Sequence, residues 1–455
     1  MQEDDCNCGG LMLGYGVWLH VPILAHGLKL KSLVCFFGRL RLRYNVMQLT
    51  LPTIFRVFLP FAAGYFISYL FRVVNAVIAP DLVADIGLNP SDLGLLTAAY
   101  FLTFAAFQLP LGVLLDRFGP RKTEAVLLLF AALGAFVFAR AETVTGLLIG
   151  RALIGFGVSA CLMAAFTAFV IWFPARHLPL INGFQMAAGG LGAVAGTVPV
   201  QTALGFTDWR GLFMGLAGFC LIVAATVLFV VPEKRRESAG TRLQEQFQGV
   251  RQVFTSFTFW RIAPLALMSQ ASALSIHGLW AGPWLKDVAG LHRPQVAFVL
   301  FLTAVAMIAG FIALGALSAR LTEQGIKAFT VPVAGMTSFM VVLALLTAGH
   351  VLPPWLMWML FGFFGTAGIV VYAELSRQFP VSLAGRVNTA LNLLVFVAAF
   401  AGQWGIGAII NQWPPTPEGL FPVEAYRVGF GVMLLLQALG LGWFFISKKF
   451  SRQKA

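Results

Sequence analysis

The chain has 455 residues, 59% of them hydrophobic and only 11% charged, with a mean hydropathy of +0.84. Soluble domains carry about 25% charged residues, so this composition excludes a water-soluble globular protein and leaves a polytopic membrane protein. The formal net charge of +13 does not point to nucleic acid, because the basic residues lie in short clusters between apolar runs and form no aromatic-interleaved face.

Residues 1–50 read as a peripheral N-terminal extension. The run from Leu11 to Phe37 is broken by His20, Pro22, His26, Lys29 and Lys31, which makes it a poor span. Glu3, Asp4 and Asp5 do not open a secretory signal, and Met47 stands just before the first good helix. Cys6 and Cys8 form a lone Cys-x-Cys without a second ligand pair, so no metal site is expected. Cys161 and Cys220 fall in apolar runs and read as small core residues.

A spanning helix needs about 20 apolar residues. Such runs occupy 54–79, 91–115, 123–139, 143–172, 178–203 and 210–231, a bundle over 51–231. A polar linker, 232–260, follows. Six more runs, 262–286, 295–318, 328–349, 353–377, 382–410 and 424–447, make a second bundle over 261–447, with a tail at 448–455. The expected fold is therefore an all-α membrane protein of twelve transmembrane helices in two pseudo-symmetric six-helix bundles. Such repeat plans place the binding site between the halves. Beyond residue 50, the expected inner side carries 19 Lys and Arg and the outer side 5. That bias puts both termini and the linker in the cytoplasm.

Between the second and third runs lies GVLLDRFGPRK, with Gly112, Asp116, Arg117, Gly119, Arg121 and Lys122. So short and basic a loop belongs at a membrane face. It resembles the signature loop of the major facilitator superfamily, Gly-x-x-x-Asp-Arg-x-Gly-Arg-Arg/Lys, with Pro120 inserted before the basic pair. The resemblance implies a conformational latch, with Asp116 accepting from a neighbouring helix N-terminus and the basic residues at the anionic leaflet. The equivalent loop of the second half reads Gly315-Ala-Leu-Ser-Ala319-Arg320, where Ala319 replaces the acid.

Two arginines interrupt apolar runs, where charge is costly and marks a pathway or a pair. Arg72 lies in Tyr69-Leu-Phe-Arg72-Val-Val-Asn75, ahead of Pro80. Tyr-x-x-Arg-x-x-Asn followed by Pro looks like the first helix of the organophosphate and organic-anion branch, and this implies substrate contact by Arg72 with Asn75 beside it. Pairing with helix carbonyls is the alternative. The seventh helix lacks the second Arg of the phosphate exchangers, leaving His277 as the nearest cationic candidate. Arg151 opens Arg151-Ala-Leu-Ile-Gly155-Phe-Gly157, similar to the family's fourth-helix Arg-x-x-x-Gly-x-Gly, which implies an Arg directed to the cavity. Gly183, Gly192 and Gly196 have antiporter-motif spacing, but Thr197 replaces the expected proline, and close helix crossing is the simpler reading.

Asp92, Glu124 and Glu424 stand at the outermost positions of their runs, within reach of water. Glu374 is the one other carboxylate within a run, and it either pairs with Arg377 or couples to a proton. Tyr100, Gln108, Gln270, Ser275, Tyr372, Asn388, Asn392 and Gln403 are polar candidates for a cavity or for bonds to neighbouring helices. Of these, Tyr100, Tyr372 and Asn392 join the expected substrate contacts. Trp280, Trp284, Trp355 and Trp358 read as an interfacial belt.

The leading expectation is a secondary transporter of the bacterial inner membrane that moves a small organic anion by alternating access. It acts as a monomer in the bilayer, with or without a coupling ion, and uses no cofactor, metal or nucleic acid. The alternatives are an exporter of amphipathic compounds and a transporter-like receptor. A receptor would need more than a 29-residue linker (232–260) for a signalling domain. No catalytic cluster marks an enzyme, and no Gly-x-x-x-x-Gly-Lys loop marks direct ATP use.

Overall fold

The computed structural model describes residues 51–174, 178–233, 243–349 and 351–452. The expectations for residues 1–50, for Arg176 and for the end of the tail lie outside the described residues, as does the Asp116 side chain. Every regular element among the described residues is helical. Among the described residues, ten helices are long and apolar enough to cross a membrane. In chain order they are the first span, Ile54–Ile86; the third, Arg117–Arg140, whose continuous helix starts only after a kink at Gly119; the fourth, Val144–Trp172; and the sixth, Trp209–Val230. The second half supplies the seventh, Phe257–Asp287; eighth, Arg293–Glu323; ninth, Thr330–Ala348; tenth, Pro354–Ser376; eleventh, Arg386–Ile410; and twelfth, Val423–Ser447.

The second and fifth expected spans are broken helices, for one shared reason. The second begins as Pro90–Ala106 and resumes at Gln108, while the fifth comprises Leu178–Ala195 and Val198–Ala203. Proline has no N–H to give the carbonyl four residues back. Pro110 stands four residues beyond Ala106, and Pro199 four beyond Ala195, so each helix stops at the carbonyl its proline cannot serve.

The ends are set locally. Asn89 caps the second span, accepting from the Asp92 N–H at 2.8 Å while Asp92 accepts back from the Asn89 N–H, a reciprocal box that satisfies two orphan donors. Gly119 separates the second span from the third with φ of 79°, a left-handed conformation that glycine adopts without steric cost. Pro120 then opens the third span, where a missing N–H is harmless. The residue that departs from the signature loop is thus a helix start.

The 117–122 loop defines one face of the molecule, here the loop face, and the other is the far face. Toward the far face the halves meet backbone to backbone. Gly282 of the seventh span lies on the Ala76 carbonyl, Gly407 of the eleventh on the Pro90 carbonyl, and Gly94 of the second on the Gln403 carbonyl. A Cβ at any of the three would collide with main chain, so glycine sets the closeness of the halves. Arg293, opening the eighth span, adds a fork: Nη1 donates to Asp81 Oδ1 at 2.8 Å, Nη2 donates to Asp81 Oδ2, and Nε donates to Gln201 Oε1 at 2.9 Å. Asp81 and Gln201 belong to the first half and Arg293 to the second, so the fork ties the halves together.

Many large side chains are bare on the outside, Phe229, Ile312, Ile222 and Leu439 among them. Water would penalise such a surface and a bilayer does not. The chain is an integral membrane protein.

Two sequence expectations need correction here. Trp280, Trp284 and Trp358 are not belt residues but fully packed core. The Trp280 Nε1–H donates to the Gln403 carbonyl at 2.9 Å, and the Trp284 and Trp358 rings meet edge-on at 5.7 Å. Of the four, Trp355 stays exposed. Glu124, expected within reach of water, is fully buried, and neither carboxyl oxygen has a hydrogen-bond partner among the described residues. Because the third span starts at Pro120, Glu124 lies a turn inside it, against Gly64 of the first span.

Candidate functional site

A cavity of about 60 Å³ lies between the halves. The first and second spans supply Tyr69, Arg72, Val73 and Phe101; the seventh, eighth and tenth supply the opposite wall, including Gln270, His277, Thr303 and Thr366. The seventh span comes close because Gly278 sits on the Arg72 carbonyl. At His277 the same span carries a π-helical turn, Ile276–Trp280, a local widening frequent at functional sites.

Arg72 is the charged member of this lining. It is 8% exposed, and neutral groups hold it. Nε donates to Tyr100 Oη at 3.1 Å, and Nη2 to Ser68 Oγ at 3.4 Å. Tyr100 in turn donates to the Ser68 carbonyl at 3.2 Å, which fixes the phenol. Four rings surround the guanidinium, with centroids at 4.7 Å (Tyr69), 5.0 Å (Phe104), 5.3 Å (Phe396) and 5.9 Å (Tyr100). Ring faces offset part of the desolvation cost, each contributing about 0.5–2 kcal/mol. They do not cancel the charge. No carboxylate pairs with Arg72 among the described residues. Arg72 is thus a buried cation held by dipoles and rings, at the edge of a cavity, with its charge not neutralised among the described residues.

Arg151 does something different. Its Nη1 and Nη2 both donate to the Phe71 carbonyl, at 3.0 and 3.1 Å, and it does not line the cavity. A carbonyl oxygen has two lone pairs, so Phe71 accepts this fork beyond its helical bond. Arg151 therefore pins the first span one residue before Arg72. Gly155 and Gly157 allow this approach, seated on the Tyr100 backbone and on Ala131.

The remaining sequence candidates divide. Asn75 is buried and donates from Nδ2 to Thr97 Oγ1 at 2.9 Å, which joins the first and second spans outside the cavity lining. Tyr372 donates to Asn392 Oδ1 at 3.3 Å, and Ser376 to Asn388 Oδ1 at 2.6 Å. These polar groups link the tenth and eleventh spans and also stand outside the lining. Glu374 is buried and pairs with exposed Arg377 at 3.2 Å, the partner expected for it from the sequence. In the loop, Lys122 and Arg121 reach Glu233, at 2.6 and 3.9 Å, so the basic pair holds the chain leaving the sixth span. Arg117 lies over Phe118 at 5.3 Å, and Gly112 sits within the second span. No cluster of three or more metal-ligating side chains occurs among the described residues.

Sequence reasoning brought Arg72, Tyr100, Gln270 and His277 to the site. It missed Phe104, Phe396 and Thr303, and it quoted Tyr69 without assigning it a role. Tyr69 had a signal, its place three residues before Arg72 on the same face. Phe396 had none, because it comes from the other half of the chain.

A family model for the major facilitator superfamily matches residues 61–403, about three quarters of the chain. The chain is 27% identical over 275 residues to the "Probable sulfoacetate transporter SauU" of Cupriavidus necator, covering 57% of this chain and 64% of that one. It is 22% identical over 250 residues to the hexuronate transporter of Escherichia coli K12, covering 51% and 58%. The match thus spans about three fifths of those relatives' length. In fold, it is similar to a bacterial homologue of the human lysosomal transporter Spinster in an inward-facing, unoccupied conformation. There the TM-score is 0.69 at 16% identity, over 87% of this chain and 97% of that one.

Proposed function

The chain belongs to the major facilitator superfamily, and on that premise we propose that it is a secondary transporter moving a small organic anion across the bacterial inner membrane by alternating access. One observation carries the anion: the Arg72 guanidinium, buried between the halves on neutral groups, without an acidic partner among the described residues. Relatives named for sulfoacetate and for hexuronate, both anions, support the same class. The far-face contacts through Gly282, Gly407 and Gly94, with the Asp81–Arg293 fork, support a state closed on that side. Outward opening would part them while each half moves largely as a body. The Lys and Arg bias supports a cytoplasmic loop face.

On this reading Arg72 is the primary ligand, Tyr100 and Ser68 orient it, and Arg151 positions the first span beneath it. His277 faces it across the cavity. The aromatic wall of Phe101, Phe311 and Phe361 favours a second reading, export of amphipathic compounds. A melting-shift screen of the purified protein separates the two, because ligands stabilise the folded state they bind. Small carboxylates and sulfonates should raise the melting temperature. Stabilisation by hydrophobic cations, with none by anions, would select the exporter.

A further inference from the structure

The site has more hydrogen-bonding capacity than a single acid group fills. Arg72 uses two of its five N–H donors, on Tyr100 and Ser68. On the opposite wall, Gln270 and His277 are seven residues apart in the seventh span and so share one face. The Gln270 amide nitrogen and both His277 ring nitrogens are shielded and have no hydrogen-bond partner among the described residues. Thr303 and Thr366 beside them donate to carbonyls of their own helices, Val299 and Phe363, both at 2.8 Å. These hydroxyls keep acceptor lone pairs and leave the Gln270 donor unanswered. Buried polar groups in folded proteins normally have partners, so three orphaned nitrogens on two residues that line one cavity mark the seat of a ligand group.

We propose that the solute is a short bifunctional anion, with one acid group on Arg72 and a second polar group, carboxylate, sulfonate or hydroxyl, on Gln270 and His277. This rests on the anion-transport reading above. The cavity of about 60 Å³ holds about four to six waters at 10–15 Å³ each, on the scale of a three-carbon acid. Such a ligand bridges the first span of one half and the seventh of the other, so its binding favours the state in which both walls are close. A monofunctional acid fills Arg72 and leaves the far wall unanswered.

The test titrates the full-length purified protein with propionate, 3-hydroxypropionate and malonate, which share a three-carbon skeleton. The wild-type protein should bind the two bifunctional acids about tenfold or more tighter than propionate, the change expected for a charge-assisted hydrogen bond. Gln270→Leu and His277→Leu should each weaken malonate and 3-hydroxypropionate far more than propionate, and so collapse that preference. Gln270→Glu preserves the shape and adds charge, so it should weaken malonate more than 3-hydroxypropionate. Equal affinity of the wild-type protein for all three acids overturns the inference while the anion reading stands. A Gln270→Leu variant that loses propionate as strongly as malonate also overturns it. Failure of every anion to bind overturns the parent reading, and the inference with it.

Discussion

The Asp81–Arg293 fork offers a direct handle on the proposed transport cycle. It spans the halves at the far face, and opening that face must break it. The side chains are 26% and 37% exposed, so solvent screens the pair and its value lies near that of a surface bridge. Such bridges contribute about 0.2–1 kcal/mol, and the bidentate, charge-assisted geometry places this one near the upper end, about 1 kcal/mol. Asp81→Asn or Arg293→Gln should therefore shift the closed-to-open ratio about fivefold toward open. A reporter cysteine at Ala79, a buried position on the far half of the first span, reads that ratio in a background lacking other cysteines. Its reaction with a membrane-impermeant maleimide should accelerate about fivefold in either variant, less so in high salt. The exchanged pair Asp81→Arg with Arg293→Asp should recover most of the slow rate. Unchanged labelling in both single variants would refute the gate, as would fast labelling in the exchanged pair.

Two packing predictions test the first half. Gly64→Ala places a methyl on the buried Glu124 carboxyl and should cost about 1–3 kcal/mol of stability as overpacking. Glu124→Ala in the same chain should return most of that loss, and a cycle of melting measurements that shows plain additivity would contradict the contact. Arg151→Met removes the fork on the Phe71 carbonyl. Thermal stability should fall by about 1.5–3 kcal/mol, with surviving protein binding anions within about threefold of wild type. A loss of affinity without loss of stability would make Arg151 a ligand.

Much of the fold was legible because a bilayer imposes simple rules. Twelve apolar runs, one polar linker and the Lys/Arg bias follow from the cost of unsatisfied or charged groups in hydrocarbon. The breaks in the second and fifth spans had a signal in Pro110 and Pro199, but not a sufficient one, since Pro80 and Pro264 lie inside unbroken helices. What escaped was direction around the helix. Run length says how deep Glu124 or Trp284 lies, but not which neighbour it faces. The apolar run begins beside Glu124 and so places it at a water-accessible end, whereas the continuous helix begins at Pro120. Arg151 was read as turned to the cavity, and the Phe71 carbonyl that holds it is 80 residues away in sequence. The site shows the same division. Arg72 and Tyr100 stand out as polar groups in apolar runs, while the ring of Phe396 joins them through contact between the two halves.

The central claim is that the Arg72 guanidinium binds an anionic solute, and its most direct test is anion binding by purified Arg72→Lys protein. Lysine keeps the charge and loses the planar fork that matches a carboxylate or sulfonate. Removing a charge-assisted bond of this kind costs about 1.5–3 kcal/mol, so affinity should fall about tenfold to hundredfold, with the melting temperature of the unliganded protein close to wild type. Normal anion affinity in a destabilised Arg72→Lys protein would contradict the claim and leave Arg72 a structural cation in an aromatic box.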